Sequence, residues 1–466
     1  MLKIHLTLKK YFYTFVLLFA LSSSAFSQTG TFIAISDIHF DPFHNGVSVD
    51  TLVNSPYQNW DKIFHDLGNN EFNAYWYDSD YKLFTSLLKE VSAKSTKPDF
   101  IIYTGDFIVH HFLDTLYSLT NNYSSYASNS FIHKTFGFIT SKINRYYPHI
   151  PIFFTLGNND SYTGDYNSVW DGAFLHQTSG VLFDNFIKNP ELKKAFLKTY
   201  PINGCYSIRF PNTKDQRLIS INTNFLSPKS NENAHGKNVL DWLETELKSA
   251  RSKNENVWLI LHILPGIDVF DTMAPINPGD SLYSALLFMT DNYNGRLVNM
   301  IKNYGDVISV CFGGHIHMDD FRLFKENPAV KEPASVFLHV TPSVSPIFGN
   351  NPAFQIFTYD KTTFELLDYN SFYLDLAAVK KQWAHEYSFN KAYNQNGINT
   401  KSLNIVFNKI LTDPTTQSNY INFYPGKSSE ASIESKWVGN WSGISNLTDS
   451  NYIRMYNKYS DNNEQK

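Results

Sequence analysis

Two cysteines in 466 residues exclude a disulfide framework as the thing that holds this chain together, even in a compartment that would permit one. Cys205 and Cys311 could pair, but Cys311 stands inside an apolar run, where a buried free thiol is the commoner state. A strong charge bias is also missing. The formal net charge is −4, which disfavours a basic nucleic-acid-binding surface. Beyond the N-terminus no apolar run approaches the ~20 residues of a membrane-spanning helix. There is no internal repeat and no extended low-complexity tract, which leaves a folded globular protein with ample mass for a core.

What is present begins with an unusual N-terminus. Lys3, Lys9 and Lys10 precede an apolar run from Tyr11 to Leu21, and the small-residue stretch Ser22 to Ser27 follows. This reads as a secretory signal peptide over residues 1–27, cut near Ser27/Gln28. The run is too short for an uncleaved anchor. The mature protein is therefore expected to be extracytoplasmic: periplasmic, extracellular or lumenal. Its removal takes away three lysines and no acid, so the charge becomes more negative. Aromatic residues make up 16% of the chain. Most must be core, and a surplus could line a substrate groove.

Short β-branched and aromatic runs bounded by turn residues alternate with helical patterns, which predicts an α/β fold. Strands are expected at Phe32 to Ser36, Phe100 to Tyr103, Ile152 to Leu156, Leu218 to Ile221, Val257 to Leu261, Val307 to Phe312 and Val336 to Val340. Helix stripes run through Leu83, Leu87, Leu88 and Val91, through Ile132, Phe136, Ile139 and Ile143, and through Val239, Trp242, Leu243 and Leu247. From about Ser371, Leu376, Val379, Trp383 and Tyr387 recur every three or four residues without a strong strand signal. The expected division is a catalytic domain over 28–370, a small helical subdomain over 371–450 and a polar, frayed tail over 451–466. Asn-x-Ser/Thr sequons stand at Asn122, Asn440 and Asn446.

Chemistry in open α/β sheets gathers at the carboxyl ends of strands, and five of these ends carry metal-ligand residue types. The first delivers Asp37 and His39, whose i, i+2 spacing in extended backbone points both side chains one way. The second ends in Thr104-Gly105-Asp106 and the third in Gly157-Asn158-Asn159. A later strand ends in His262, and the next in Gly313-Gly314-His315-Ile316-His317. Any one of these histidines is more often a surface or core residue than a ligand. Their joint placement at strand ends reverses that.

In this order the residues resemble the calcineurin-like metallophosphoesterases and, within them, the acid sphingomyelinase-like phosphodiesterases. Asp37-Ile38-His39-Phe40-Asp41-Pro42 is similar to the family's opening motif. Ile221 to Asn224, the Trp242 helix leading into Val257 to Ile260, and His262-Ile263-Leu264-Pro265-Gly266 are similar to its middle. Thr341 to Pro346, with Asn351-Pro352-Ala353-Phe354, is similar to its late segment. The resemblance covers roughly Ile33 to Tyr359 and continues more weakly through Trp383 and Tyr393. It implies a β-sandwich flanked by helices, with Asp37, His39 and His317 on one metal, Asn158, His262 and His315 on the other, and Asp106 bridging both. Zinc is the implied metal, and the mixed nitrogen and oxygen donors also suit iron or manganese. Two such ions ~3.5–4 Å apart activate water against a phosphoester.

His110, four residues beyond Asp106, resembles the family's catalytic histidine, with His111 as second choice. Where the family carries a histidine after the metal-binding asparagine, this chain has Asn159, which can donate a hydrogen bond but cannot act as a general acid near neutral pH. The resemblance therefore leaves a phosphodiesterase of nucleotides, phosphocholine-type esters or sphingomyelin as the leading reading. A catalytically impaired metal-binding homologue is the alternative. A phosphomonoesterase of the purple acid phosphatase kind is disfavoured, because that group needs a tyrosine where this chain has Val109. The expected partner is a small phosphodiester or phospholipid headgroup, with transient membrane-surface contact open and no nucleic-acid polymer. No saposin-like domain with its cysteines is evident, which favours a soluble substrate. Aromatic residues of the Ser161 to Gly204 segment, among them Tyr162, Tyr166, Trp170, Phe174, Phe183 and Phe186, either shape a pocket or form a local packed cluster.

Overall fold

The computed structural model describes residues 28–460 apart from 47, 69–70, 121–123, 278–279 and 326–334. The stretch read as a signal peptide, the Asn122 sequon and residues 461–466 lie outside the described residues. Among the described residues, twelve strands form two six-stranded mixed sheets. They are β1 Thr29–Ile35, β2 Phe100–Tyr103, β3 Ile152–Phe154, β4 Tyr206–Arg209, β5 Gln216–Ser220, β6 Asn256–Ile260, β7 Ile308–Gly313, β8 Asp320–Phe324, β9 Val336–Val340, β10 Ala353–Asp360, β11 Leu366–Leu374 and β12 Trp383–Ser388. The first sheet runs β12-β11-β10-β1-β2-β3 and the second β4-β5-β6-β7-β9-β8.

The two sheets face each other through aromatic rings. Phe32 on β1 stacks on Phe100 and Phe357, each at 4.8 Å, and meets Trp258 of β6 and Phe312 of β7 edge-on at 5.3 and 5.7 Å. Offset and edge contacts of this kind add to the burial of large rings and hold a sandwich interior. The outer faces are covered by the expected helices, which explains why β1, β2 and β3 are apolar on both faces rather than alternating. Leu83, Leu87, Leu88 and Val91 of helix Tyr81–Lys94 are buried in the cluster that contains β1 and β2. Val239, Leu243 and Leu247 of helix Gly236–Ser252 pack with Ile219, Leu259 and Cys311 of the second sheet. The β-sandwich flanked by helices is thus what the chain forms.

The parallel pairs β1/β2, β2/β3, β5/β6 and β6/β7 bring several carboxyl ends to one edge. All seven expected strands are present. Five more, β4, β8, β10, β11 and β12, carry weaker patterns. Two expectations need correction. The segment after Ser371 is not helical at first: β11 pairs antiparallel with β10, and β12 adds antiparallel to β11 at the edge of the first sheet. The apparent helical spacing is broken by Val379, which is fully exposed in a turn, while Tyr387 packs against Tyr369 across the strand pair. Helices begin only at Phe389 and include Thr400–Thr412, Pro414–Phe423 and Trp437–Ser445. Nor is the end a frayed tail up to Ser460, because Asp449–Ser460 is a helix that buries Tyr452 and Tyr456. Asn457 pins it by exchanging hydrogen bonds with the backbone of Leu282.

Cys205 and Cys311 are both buried and free, and burial pushes the Cys205 thiol up to about 12, so neither is a ready nucleophile. Asn440 and Asn446 are buried in or beside helix Trp437–Ser445, so in the folded chain these two sequons are closed to a transferase. Among the described residues no helix is long and apolar enough to cross a membrane.

Candidate metal centre

The seven residues singled out as ligands meet at the edge where β1, β2, β3, β6 and β7 end. Backbone bonds lock the first two ends together: the Asp37 N–H donates to Gly105 O at 3.0 Å and the His39 N–H to Asp106 O at 3.1 Å. Gly157 has to be glycine, because a Cβ there would fall 2.0 Å from Asp106 Oδ1. Asp37, His39, Asp106, His315 and His317 all have positive φ, between 43° and 73°. Such residues store about 1–3 kcal/mol each and persist where the surroundings over-determine them, and Asp and His tolerate this region better than most.

The Asp106 carboxylate sits between two histidines, its Oδ2 3.4 Å from His39 Nε2 and 3.1 Å from His262 Nε2. Asp37 Oδ1 lies 3.7 Å from His39 Nε2 and 3.6 Å from His317 Nε2. Asn158 Oδ1 is 3.0 Å from His262 Nε2. Ligand atoms of Asp37, His39 and Asp106, and separately of Asp106, His262 and His315, lie within 4.8 Å of one another. The same holds for His39, His110 and His317.

The donor chemistry fits divalent cations. His39 Nδ1 faces Ile108 O at 3.0 Å and His262 Nδ1 faces Thr104 O at 2.7 Å. Each carbonyl demands an Nδ1 proton, which leaves the lone pair on Nε2, as in metal-binding histidines oriented by an outer partner. Buried His39 Nε2 has no hydrogen-bond partner, and His262 Nε2 confronts oxygen acceptors. Lone pairs meeting at these distances call for a cation or a proton. Without a metal the proton takes that place. Burial alone would lower both imidazoles, but Asp106 and its neighbours outweigh it and hold His39 up to about 10 and His262 up to about 9. Burial likewise opposes ionisation of Asp106, yet His262 and His39 keep its carboxyl well below the usual range. His315 and His317 are pushed well below the ordinary value, first by burial and then by the neighbouring imidazoles.

His110 stacks on His39 with ring centroids 4.0 Å apart, so it belongs to the site. His111 does not: its side chain is 75% exposed and lies 3.6 Å from Asp114. Asn159 is turned onto the central carboxylate. Its backbone N–H donates to Asp106 Oδ1 at 2.8 Å and its Nδ2 to Asp106 Oδ2 at 3.0 Å.

Three aspartates not singled out by pattern reading, and two serines of the late segment, complete the arrangement. Asp78 accepts from the His110 ring and backbone and from Ser345 Oγ at 2.7 Å. Asp165 accepts from Asn158 Nδ2 at 2.6 Å, which turns the amide oxygen toward His262. Asp160 accepts backbone N–H groups of Asp106, Phe107 and Gly157 at 2.8–3.0 Å and so clasps two strand ends. The late segment holds Asp37 from the other side, with Ser343 Oγ and the Ser345 N–H donating to Asp37 O. Asp160 and Asp165 stand close after Asn158 in sequence and could have been noticed. Asp78 carries no such signal.

Of the aromatic residues in the Ser161 to Gly204 segment, Tyr162, Phe174, Phe183 and Phe186 are buried in the core. Tyr166 differs, with its hydroxyl 3.4 Å from His315 Nε2. It also lines a cavity of about 460 Å³ that opens beside His315 and is walled by Phe288, Phe348, Phe270 and Trp76.

Residues 30–319 match the calcineurin-like phosphoesterase family, and residues 333–458 match the acid sphingomyelin phosphodiesterase C-terminal region. The chain is 25% identical over 442 residues to a sphingomyelinase phosphodiesterase D of Dictyostelium discoideum, covering 88% of this chain and 92% of that one. It is 27% identical over 387 residues to a cyclic GMP-AMP phosphodiesterase of Bos taurus, covering 80% and 78%. Among solved structures, a dimetal phosphatase from Danio rerio aligns over 76% of this chain and 98% of its own, with 10% identity and a TM-score of 0.38. With the two family matches spanning both sheets and the buried His/Asp centre, the chain belongs to the calcineurin-like phosphoesterase family, as a metal-dependent phosphoesterase of the acid sphingomyelinase-like kind.

Proposed function

We propose that this protein is a secreted phosphodiesterase that hydrolyses a small phosphodiester, with Asp37, His39 and His317 holding one zinc ion, Asn158, His262 and His315 a second, and Asp106 shared between them. The observation that carries the reading is the position of the Asp106 carboxylate, within 3.4 Å of His39 Nε2 and 3.1 Å of His262 Nε2. Iron or manganese would suit the same donors. The extracytoplasmic address rests on the N-terminal pattern of Lys3 to Ser27. Two relatives bear phosphodiesterase names, one for sphingomyelin and one for cyclic GMP-AMP, which supports a diester over a monoester.

A pair of divalent ions, when bound, supplies Lewis-acid polarisation of the phosphoryl oxygens and lowers the pKa of water. The chain's own residues do the rest. Asp106 is held in place by two donors from Asn159. His110, with Nδ1 engaged by Asp78, delivers a proton from Nε2 to the departing ester oxygen. Asn159 contributes orientation and no proton.

The test is to purify the mature protein, measure its bound metals, and compare a bis-aryl phosphate, a mono-aryl phosphate, sphingomyelin and ATP. Diester turnover above monoester turnover is expected. Full metal occupancy with no turnover would instead make the protein a metal-bearing binding protein.

A further inference from the structure

Large hydrophobic side chains left in water need a reason when they cluster at the mouth of a cavity. Trp76 is 53% exposed and Phe270 67% exposed, and both line the cavity of about 460 Å³ beside His315. That volume lies within the range of small-molecule sites, about 300–1,000 Å³. Phe348 links the rim to the metal centre, 5.7 Å from Phe270 and edge-on to His317 at 4.7 Å.

Trp76 is built into its place rather than left over. Its φ is +71°, a conformation that a bulky residue adopts only under constraint. The constraint is visible: its N–H donates to Pro346 O at 3.1 Å, and Tyr75 OH beside it donates to Asn351 Oδ1 at 2.7 Å. The indole lies against Gly349, where a Cβ would come within 2.9 Å of Cη2 and Cζ2, and Gly349 itself has φ +77°. A backbone conformation that costs energy therefore holds an indole over bare backbone with half its surface facing out. Two residues further along the same segment, Asp78 holds His110.

We infer that Trp76, with Phe270 and Phe348, is a stacking platform for a flat aromatic group on the substrate, so that the preferred diesters carry a heteroaromatic ring such as a nucleobase. This rests on the phosphodiesterase reading of the neighbouring centre and names its substrate class. Aromatic faces stack on any base. The wall also carries Lys229, Asp271, Glu430 and Lys436, whose polar atoms an acyl chain would cover without pairing, whereas a heteroaromatic edge can pair with them.

Calorimetric titration of the zinc-loaded protein with AMP, ribose 5-phosphate and monomeric hexadecylphosphocholine tests this without needing turnover, so loss of diester hydrolysis and loss of the platform are read separately. In Trp76→Ala the affinity for AMP should fall by about 5- to 100-fold, with ribose 5-phosphate changed less than about twofold. Trp76→Phe should retain most of the AMP affinity, and Gly349→Ala, which pushes the indole off its seat, should follow Trp76→Ala. Equal weakening of both sugar phosphates, no change in AMP binding, or a Trp76-dependent affinity for the alkyl ligand alone would each overturn the assignment.

Discussion

The Nδ1 atom of His110 lies 3.0 Å from Asp78 Oδ2, and the backbone N–H of His110 donates to that same oxygen at 3.0 Å. One carboxylate thus fixes the ring, its tautomer and its loop. Burial would raise the Asp78 carboxyl, but the adjacent His110 and His39 imidazoles and the Ser345 hydroxyl hold it below the usual range. It therefore stays an acceptor.

His110→Ala should cut turnover by ~10²–10⁴-fold with metal content unchanged. The loss should be smallest for a p-nitrophenolate leaving group, which needs little protonation, and largest for an alkoxide. Asp78→Asn should cost about 10²-fold by letting the ring drift from its productive geometry. A series of diesters with leaving groups of graded basicity checks both, and a loss independent of leaving group would remove His110 from proton transfer.

Asp165 makes a separate prediction, because it touches Asn158 rather than the Asp106 carboxylate. With its 2.6 Å bond from Nδ2 gone, the amide can rotate and offer hydrogen where oxygen is needed. Asp165→Ala should weaken one of the two metals by about 10- to 100-fold and leave the other near its wild-type affinity. Competition with a chromogenic chelator resolves the two steps, and an unchanged titration would refute the orienting role.

The candidates Asp37, His39, Asp106, Asn158, His262, His315 and His317 were legible because each follows a short apolar run, and the family resemblance implied their grouping; the fold brings all seven to one edge. The parts that were not legible obey a different logic. Asp78 lies in an irregular segment with no periodicity, and its role exists only because the fold lays that segment beside the chain leaving β1, where Ser79 pairs with His39 and Asp41. The error over residues 371–388 has a physical source too. Four apolar residues at intervals of three and four fit a helix, but half of the supposed stripe serves a sheet edge and Val379 serves nothing buried. Tyr452 and Tyr456 were lost among polar neighbours, although spacing of four is what a one-faced helix requires.

Metal removal follows from the charge balance at the centre. In the metal-free chain His39 and His262 carry protons at pH 7, since their values are held up to about 10 and about 9. Ligands must shed those protons to bind metal. Zinc added to chelator-stripped protein at pH 7 should therefore release about two protons, restore hydrolysis and raise the thermal midpoint, since a ligand that binds only the folded state stabilises it. Apparent zinc affinity should climb as pH rises toward 9. Calorimetry in buffers of different ionisation heat counts the protons, and a heat independent of buffer would contradict this balance.

Glu386 on β12 links acidity to the joint between the first sheet and the C-terminal helices. Burial, reinforced by the nearby Asp319 carboxyl and only partly offset by Ser371 and Lys427, pushes it up to about 8. Its Oε2 accepts from Ser371 Oγ at 2.8 Å, while Oε1 has no partner. The folded state holds this proton across a window in which an unfolded glutamate, with a value of about 4.3, has lost it. Folding then binds a proton, so the stabilising contribution is full below about pH 4 and declines as pH rises, until it is gone above about 8. Asp319, also raised to about 8 by burial, has the same sign. Glu386→Gln keeps the shape and the hydrogen bond but removes the titration. It should raise the thermal midpoint only slightly near pH 5 and more strongly at pH 8.5, by about 1 °C for each 1 kcal/mol relieved in a chain of this length. Scanning calorimetry of the metal-loaded protein at both pH values checks this. Parallel profiles for wild type and Glu386→Gln would show that the buried carboxyl does not set the pH dependence of the fold.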